Sequence, residues 1–372
     1  MKIPTADPAT FALSDWQSFV SEQGHKPFRA RQIYRWIHHR GTFDPEQMTD
    51  LPQDLREALG ELGLSEPGSV SFVYEAADGT RKILLDLKDE TRLECVLIPM
   101  TSVGPDDDDD GEPVGSRVRV TLCVSTQVGC AMGCTFCASG QAGLVRGLRA
   151  AEILAQVYVA RRYLKENEDL RNLVFMGMGE PLHHYDETKR ALDFLTDPDG
   201  AAISPRRITV STVGLVPGIR RLGADYSGKI GLALSLHAAD DETRSRIMPM
   251  NRRYPIAELM QALREYPLPP RRRITIEYTL IRDVNDSEAH ADRLASLLRG
   301  LPVKVNLIPM NSIEASDYRG ADQDRVSSFQ GRLAARGYSC FVRTRRGDEV
   351  SAACGQLALK GIAPERLVRK LS

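Results

Sequence analysis

The sequence predicts an α/β protein: a partial (β/α)6 barrel preceded by a small N-terminal helical domain and a small β extension. Three observations lead there. From Arg117 onward, strand-like runs alternate with amphipathic helical ones; before it, residues 69–99 carry short strands separated by turn signals; and residues 12–64 carry apolar positions at helical spacing among charged ones. The chain has 372 residues, enough for one large and one smaller domain, and 42% of them are hydrophobic, which supplies a full core.

In the helical module the apolar positions are Phe19, Ile33, Trp36, Ile37, Leu51, Leu55 and Leu59. Its stretch Gly24 to Arg40 contains Lys26, Arg29, Arg31, Arg35 and Arg40, no acids, and the aromatics Phe28, Tyr34 and Trp36, a make-up that suits a nucleic-acid face. Helical spacing also sets Ile33, Trp36 and Ile37 on one apolar side, so the aromatics serve a core more readily than base stacking. Arg206, Arg207, Arg271 to Arg273, Arg343, Arg345 and Arg346 add basic sites, although the formal net charge is only −1. In the β extension, VSFVYEA, KILLDLK and LECVLIP are separated by Asp78-Gly79 and by a charged KDETR connection, which reads as a small antiparallel sheet. The run Asp106 to Asp110 is a solvated loop with no assigned function.

The barrel strands are VRVTLCVS, NLVFMGMG, RITVSTVG, KIGLALSLH, RITIEYTLI and KVNLIPMN. Segments such as AAEILAQVYVARRYL, DETKRALDFL, IAELMQALREY and HADRLASLLRG supply the crossover helices that parallel strands require. In such folds chemistry collects at the C-terminal ends of the strands, where this sequence carries Ser125, Gly177 to Pro181, Ser211, Ser235 to His237 and Asn311. The expected division is a helical domain at 1–66, the β extension and acidic loop at 67–111, the core at 112–354 and a tail at 355–372.

No stretch near the first residue has the pattern of a signal peptide and no apolar run reaches membrane-spanning length, so a cytoplasmic protein with no membrane partner is expected. In a reducing compartment the seven cysteines are better explained by metal ligation or catalysis than by a disulfide framework. Cys130, Cys134 and Cys137 follow the first barrel strand in a glycine-flanked loop. Three thiolates hold three corners of a 4Fe-4S cube and leave the fourth iron open to chelate the amino and carboxylate groups of S-adenosylmethionine. A zinc site, which would want a fourth ligand although the nearest histidines are His183 and His184, and three unrelated buried cysteines are the competing readings.

C-x-x-x-C-x-x-C after the first strand, with six strand–helix units, resembles the radical S-adenosylmethionine superfamily. Met176 to Pro181 looks like its glycine-rich loop, whose glycines allow close approach of the methionine amino group and whose Glu180 accepts a hydrogen bond from it. The resemblance narrows further on Leu122 to Cys130 (LCVSTQVGC), GMGEP, Ser-Thr-Val-Gly at 211–214, Ser-Leu-His-Ala at 235–238, Asn306 to Asn311 and Ala-Ala-Cys354-Gly-Gln-Leu. These blocks are similar to the RlmN and Cfr family of RNA adenine methyltransferases, and the likeness covers nearly the whole chain, the basic helical module included.

That resemblance implies a radical methyltransferase with one 4Fe-4S cluster and two S-adenosylmethionines per turnover, one as methyl donor and one as radical source. Cys130, Cys134 and Cys137 become the cluster ligands. Contacts to S-adenosylmethionine fall to Gly179, Glu180, Ser211, Ser235, Leu236, His237 and Asn311. Cys354 accepts a methyl group and carries it as an RNA adduct; Cys123 removes the ring proton and releases product through a transient disulfide. Glu94 matches a position assigned as a proton acceptor in the family, and equally it orients the adenine or forms an ion pair. Read in isolation, Cys123 is as readily a buried core residue, and Cys95 and Cys340 match no required role. The implied substrate is an adenine of 23S rRNA, with tRNA as a further candidate, and the implied electron donor is a flavodoxin-type system; a monomer is expected. Pro181, which completes GMGEP, favours methylation at C2 over the Cfr-like alternative, C8.

Overall fold

The computed structural model describes residues 7–100, 117–313, 316–343 and 355–357, and one run of hydrogen-bonded strands organises them. The strands β1 (Gly68–Glu75), β2 (Arg81–Leu87) and β3 (Arg92–Met100) pair antiparallel and lead into β4 (Val118–Cys123). A short hairpin, β5 (Gln127–Gly129) with β6 (Leu144–Gly147), forms a sheet of its own. Then come β7 (Glu168–Phe175), β8 (Ile208–Thr212), β9 (Gly231–Ser235), β10 (Ile274–Leu280), β11 (Val303–Pro309) and β12 (Cys340–Val342), each parallel to its neighbour.

Two features differ from the sequence expectation. The β extension continues the main sheet edge-on, because Val96 to Met100 pair with Arg119 to Cys123. A further parallel strand, β12, joins the six expected ones; its three residues are too few to leave a periodic signal.

The helices are α1 (Leu13–Glu22), α2 (Phe28–His38) and α3 (Gln53–Glu61) in the N-terminal module, and α4 (Ala138–Ala142) after the cysteine loop. Between and beside the parallel strands run α5 (Ala150–Arg162), α6 (Tyr185–Thr196), α7 (Val216–Tyr226), α8 (Asp241–Ile247), α9 (Ile256–Glu265), α10 (Glu288–Leu297) and α11 (Gln323–Ala334). The last of these follows the sixth expected strand; Val326, Phe329 and Leu333 are buried at helical spacing behind an Asp322 cap.

Strand β10 shows how the sheet makes a site. Every residue of ITIEYTL is buried, but Thr275, Glu277 and Thr279 alternate with Ile274, Ile276, Tyr278 and Leu280. Successive side chains leave opposite faces, so one face is apolar and packs into the core while the other is polar and lines the interior.

The N-terminal module docks through its own basic run. Tyr34 donates to Asp197 at 2.7 Å, Arg35 and Arg31 pair with Asp199 at 2.9 and 3.3 Å, and His38 Nδ1 lies 2.7 Å from the Tyr158 hydroxyl. Two arginines of the expected nucleic-acid face are thus also docking contacts. Of the aromatics, Tyr34 is buried and Trp36 is half-buried beneath the Arg40 guanidinium, 3.8 Å away; Phe28 is exposed. Among the described residues no helix is long and apolar enough to cross a membrane.

Candidate active site

The three cysteines lie in a loop pinned at both ends. Gly129 closes β5 with φ +77°, where a Cβ would strike the Gly143 carbonyl oxygen, the same oxygen that accepts from Cys130 N–H at 2.9 Å. Cys137 is the N-cap of α4, and Gly140 in that helix lies so close that a Cβ would come within 2.9 Å of Cys134 N and O. Thr135 N–H donates to Ile247 O at the end of α8 at 3.0 Å. The segment 355–357 also closes on this loop: Ala138 N–H donates to Gly355 O at 2.8 Å, and the Ser139 hydroxyl donates to Leu357 O.

All three cysteines line one cavity, together with the glycine-rich loop after β7 and the C-terminal ends of β8 to β11. Of the residues the sequence nominates for S-adenosylmethionine, Gly179, Glu180, Ser211, Ser235, His237 and Asn311 border it. Leu236 does not: its side chain is fully buried, its N–H donates to Glu277 O at 3.0 Å and its carbonyl accepts from Arg244.

The glycines of GMGEP have a local reason beyond ligand approach. A Cβ on Gly177 would lie 2.6 Å from Ser125 Oγ, and one on Gly179, at φ +104°, 2.6 Å from Gln127 Cβ. The loop is therefore pressed onto the β4–β5 connection, which holds it. Ser125 Oγ accepts from Met178 N–H at 2.9 Å and donates to Glu94 O at 2.6 Å, and Gln127 Oε1 accepts from Glu180 N–H at 3.0 Å.

Glu180 is completely enclosed, and burial pushes its carboxyl up to about 7 against hydrogen bonds from Val213 N–H at 2.8 Å and Leu182 N–H at 3.1 Å. His237 adopts φ +57° and is locked there by Asn285, whose amide donates to His237 O at 2.7 Å. Burial, then the nearby Arg244 cation, push its imidazole down to about 3, so the ring is neutral; Nδ1 accepts from Thr279 N–H at 2.9 Å, which leaves the proton on Nε2.

Glu277 is a cavity residue that the sequence does not nominate, and Arg343, expected only as a basic site, lies against it. Glu277 Oε2 accepts from Ser211 at 3.1 Å and from Ser235 at 3.5 Å, while Oε1 faces Arg343 Nη1 at 3.6 Å. An acid at the centre of an otherwise uncharged strand rich in β-branched residues was the available signal.

A smaller cavity adjoins the first. It is lined by Cys123, Ile98 and Val174 and shares Cys137, Ser139, Met176, Gly177, Arg343 and Gly355 with its neighbour. Cys123 thus borders the same space as Gly355, whereas Cys354 lies outside the described residues, as do the acidic run 106–110 and Arg345 and Arg346. Glu94 lines neither part. It lies two residues before Val96, which pairs with Cys123, so it shares that face of the sheet; its Oε1 is 3.3 Å from Lys82 Nζ, with both side chains 2% exposed, and its Oε2 accepts no hydrogen bond from the described residues. Cys95 is fully buried and Cys340 half-buried, both with thiols pushed up by burial.

Comparison with known proteins agrees with this geometry. Residues 124–295 match the Radical SAM superfamily, and residues 10–63 match the ribosomal RNA large subunit methyltransferase N-terminal domain. A dual-specificity RNA methyltransferase RlmN of Sorangium cellulosum is 55% identical, with 98% of each chain covered. The chain belongs to the RlmN family. A second RlmN relative, from Anaeromyxobacter dehalogenans, is 47% identical over 92% of this chain and 89% of its own. The crystal structure of a radical SAM methyltransferase from Sphaerobacter thermophilus superposes with a TM-score of 0.86 at 42% identity, covering 95% of this chain and 99% of that one.

Radical SAM enzymes of the RlmN family use a 4Fe-4S cluster and two S-adenosylmethionines per turnover, and the residues present fit that demand. The three cysteines supply the thiols of the cavity; its carboxyls and imidazole are engaged, Glu180 by Val213 and Leu182, Glu277 by Ser211 and His237 by Thr279. Among the described residues no three ligand-type side chains converge to grip one metal ion. A cube asks less, since each thiolate binds a different iron. Burial pushes the Cys130 thiol up to about 12 and Cys134 well above its ordinary value, and the neighbouring thiols add to this, so in the protein alone they are protonated. A cationic iron core is what would hold them as thiolates.

Proposed function

We propose that this protein methylates C2 of an adenine in 23S rRNA, and an adenine in tRNA as a second substrate, through a methylated cysteine. The observation that carries the reading is a pair of adjoining cavities, one lined by the three-cysteine loop and the other by Cys123, with Gly355, the residue after Cys354, in the lining of both. The N-terminal domain match and the words "dual-specificity RNA methyltransferase" in the relatives' names support RNA as substrate. Pro181 in GMGEP supports C2 over C8.

Adenine C2 is an electron-poor carbon and does not attack a sulfonium methyl. When bound, the cluster and S-adenosylmethionine supply a 5′-deoxyadenosyl radical, able to remove hydrogen from an unactivated methyl group. The chain's residues do the rest. Cys354 first takes a methyl, its thiolate attacking the sulfonium methyl carbon. After loss of one hydrogen atom, the methylene carbon on Cys354 adds to C2, and the adduct radical must give up one electron, for which the oxidised cluster, when bound, would be the acceptor. Cys123 removes the C2 proton and then attacks the Cys354 sulfur; the carbon–sulfur bond breaks, the released carbon takes up a proton, and a Cys123–Cys354 disulfide remains for an external reductant to open. Cys123 is assigned the proton in preference to Glu94 because it lines the cavity, whereas Glu94 is held by Lys82. The target base must leave its stack to enter.

Anaerobic incubation with methyl-labelled S-adenosylmethionine, a 23S rRNA fragment and a flavodoxin-type reductant, followed by mass spectrometry of the digested RNA, tests this. 2-Methyladenosine is expected. 8-Methyladenosine would move the protein to the Cfr-like chemistry, and absence of both methyladenosine and 5′-deoxyadenosine would reject the reading.

A further inference from the structure

Arg244, on α8, is the largest charged side chain that the fold buries completely. Its guanidinium donates to four oxygens: Nε to Leu236 O at 3.0 Å, Nη1 to Asn251 Oδ1 at 2.8 Å, and Nη2 to Val213 O at 2.6 Å and Ser235 O at 3.3 Å. Every one of these partners is neutral. The carboxylate that influences it, Asp241, spends its Oδ1 on Asn251 Nδ2 and Ile256 N–H, both at 2.9 Å. Hydrogen bonds take up four of the five N–H groups, yet the charge itself has no ion-pair partner among the described residues, an arrangement that is costly unless a negative charge sits nearby.

The surroundings say where that charge belongs. One turn after Arg244, Ile247 O accepts from both Thr135 N–H at 3.0 Å and Thr135 Oγ at 3.3 Å, the residue next to Cys134. Cys134, Ile247 and Met248 share one buried cluster, and Pro249 lies against Gly133. Helix α8 is therefore the wall behind the central cysteine. The same arginine ties the ends of β8 and β9, from which Ser211, Ser235 and His237 reach the cavity.

We propose that Arg244 is the charge-compensating and positioning residue of this site: its cation offsets the negative thiolate–cluster assembly from behind Cys134, while its N–H groups clamp the two strand ends that face S-adenosylmethionine. The inference rests on Cys134 being a cluster ligand. Reduction adds one negative charge to the cluster, so a nearby buried cation favours the reduced state and raises the midpoint potential.

The test uses the full chain, reconstituted anaerobically, as wild type, Arg244→Met and Arg244→Lys. Iron and sulfide content, the midpoint potential from an electron-paramagnetic-resonance redox titration, and S-adenosylmethionine binding are measured. Arg244→Met with a full cluster is expected to titrate at a more negative potential. Arg244→Lys keeps the charge, so its potential should stay near wild type while S-adenosylmethionine binds several-fold more weakly, since one ammonium does not span three carbonyls. A fully loaded Arg244→Met with the wild-type potential overturns the inference alone. If Arg244→Met does not fold, Arg244→Lys decides: wild-type binding in that variant overturns the clamp, and weakened binding at an unshifted potential supports it. A wild type that assembles no cluster overturns the ligand reading, and this inference with it.

Discussion

The two ends of the cavity are held together in different ways. At the cysteine-loop end, backbone groups of neighbouring segments interlock: Gly129 against Gly143, Gly140 against Cys134, Thr135 on Ile247, with a buried arginine whose partners are all neutral. At the Cys123 end, β4 lies against β3, and the same sheet face carries a buried ion pair, Lys82 with Glu94. The first end is a tightly interlocked cradle whose three thiols come from a single loop, suited to a fixed inorganic group. The second is formed where β3, β4 and β7 meet, with Cys123 and Arg343 in its lining, and suits a transient polar guest.

The largest effect should fall on the cradle. Replacing Cys130, Cys134 or Cys137 by Ala is expected to abolish cluster binding and 5′-deoxyadenosine formation while leaving the circular dichroism spectrum intact; iron analysis and product chromatography check it. A variant that keeps its full iron content would dissolve the distinction between the two ends.

At the other end the sensitive element is charge. Lys82→Met leaves Glu94 buried without that cation and should cost about 3–5 kcal/mol of stability in urea unfolding, whereas adding Glu94→Leu should recover most of the loss. Equal destabilisation by the single and double variants would show that the pair does not act as a pair.

A smaller, pH-linked effect separates the ends further. The Glu180 carboxyl is raised from 4.5 to about 7 by burial, so the folded state holds a proton that the unfolded chain has released. Its contribution is fully present below about pH 4.5 and lost as the pH rises through about 7, a fall of about 3 kcal/mol in the cluster-free protein. Glu180→Gln should flatten that slope across the window; an unchanged slope would assign it elsewhere.

Much of the cradle was legible in sequence because its chemistry is local: three cysteines within one glycine-flanked loop, and a glycine-rich turn after a strand. The six long parallel strands were legible for the same reason, each carrying its own apolar run. What escaped depends on pairing across the sheet. Glu277 and Arg343 meet only because β10, β11 and β12 are neighbours, and β12 itself is too short to announce a strand. Likewise Lys82 finds Glu94 only through the register of β2 on β3. Leu236 shows the reverse: carried into the ligand set by its place in a motif, it meets the core with its side chain and Arg244 with its carbonyl.

The division of labour between the two ends is tested most directly by Cys123→Ala, incubated anaerobically with S-adenosylmethionine, reductant and 23S rRNA, and analysed by denaturing gel and mass spectrometry. A covalent RNA–protein adduct that maps to Cys354, with 5′-deoxyadenosine formed, is the predicted result. Ready release of 2-methyladenosine RNA by that variant, with no adduct, would contradict it.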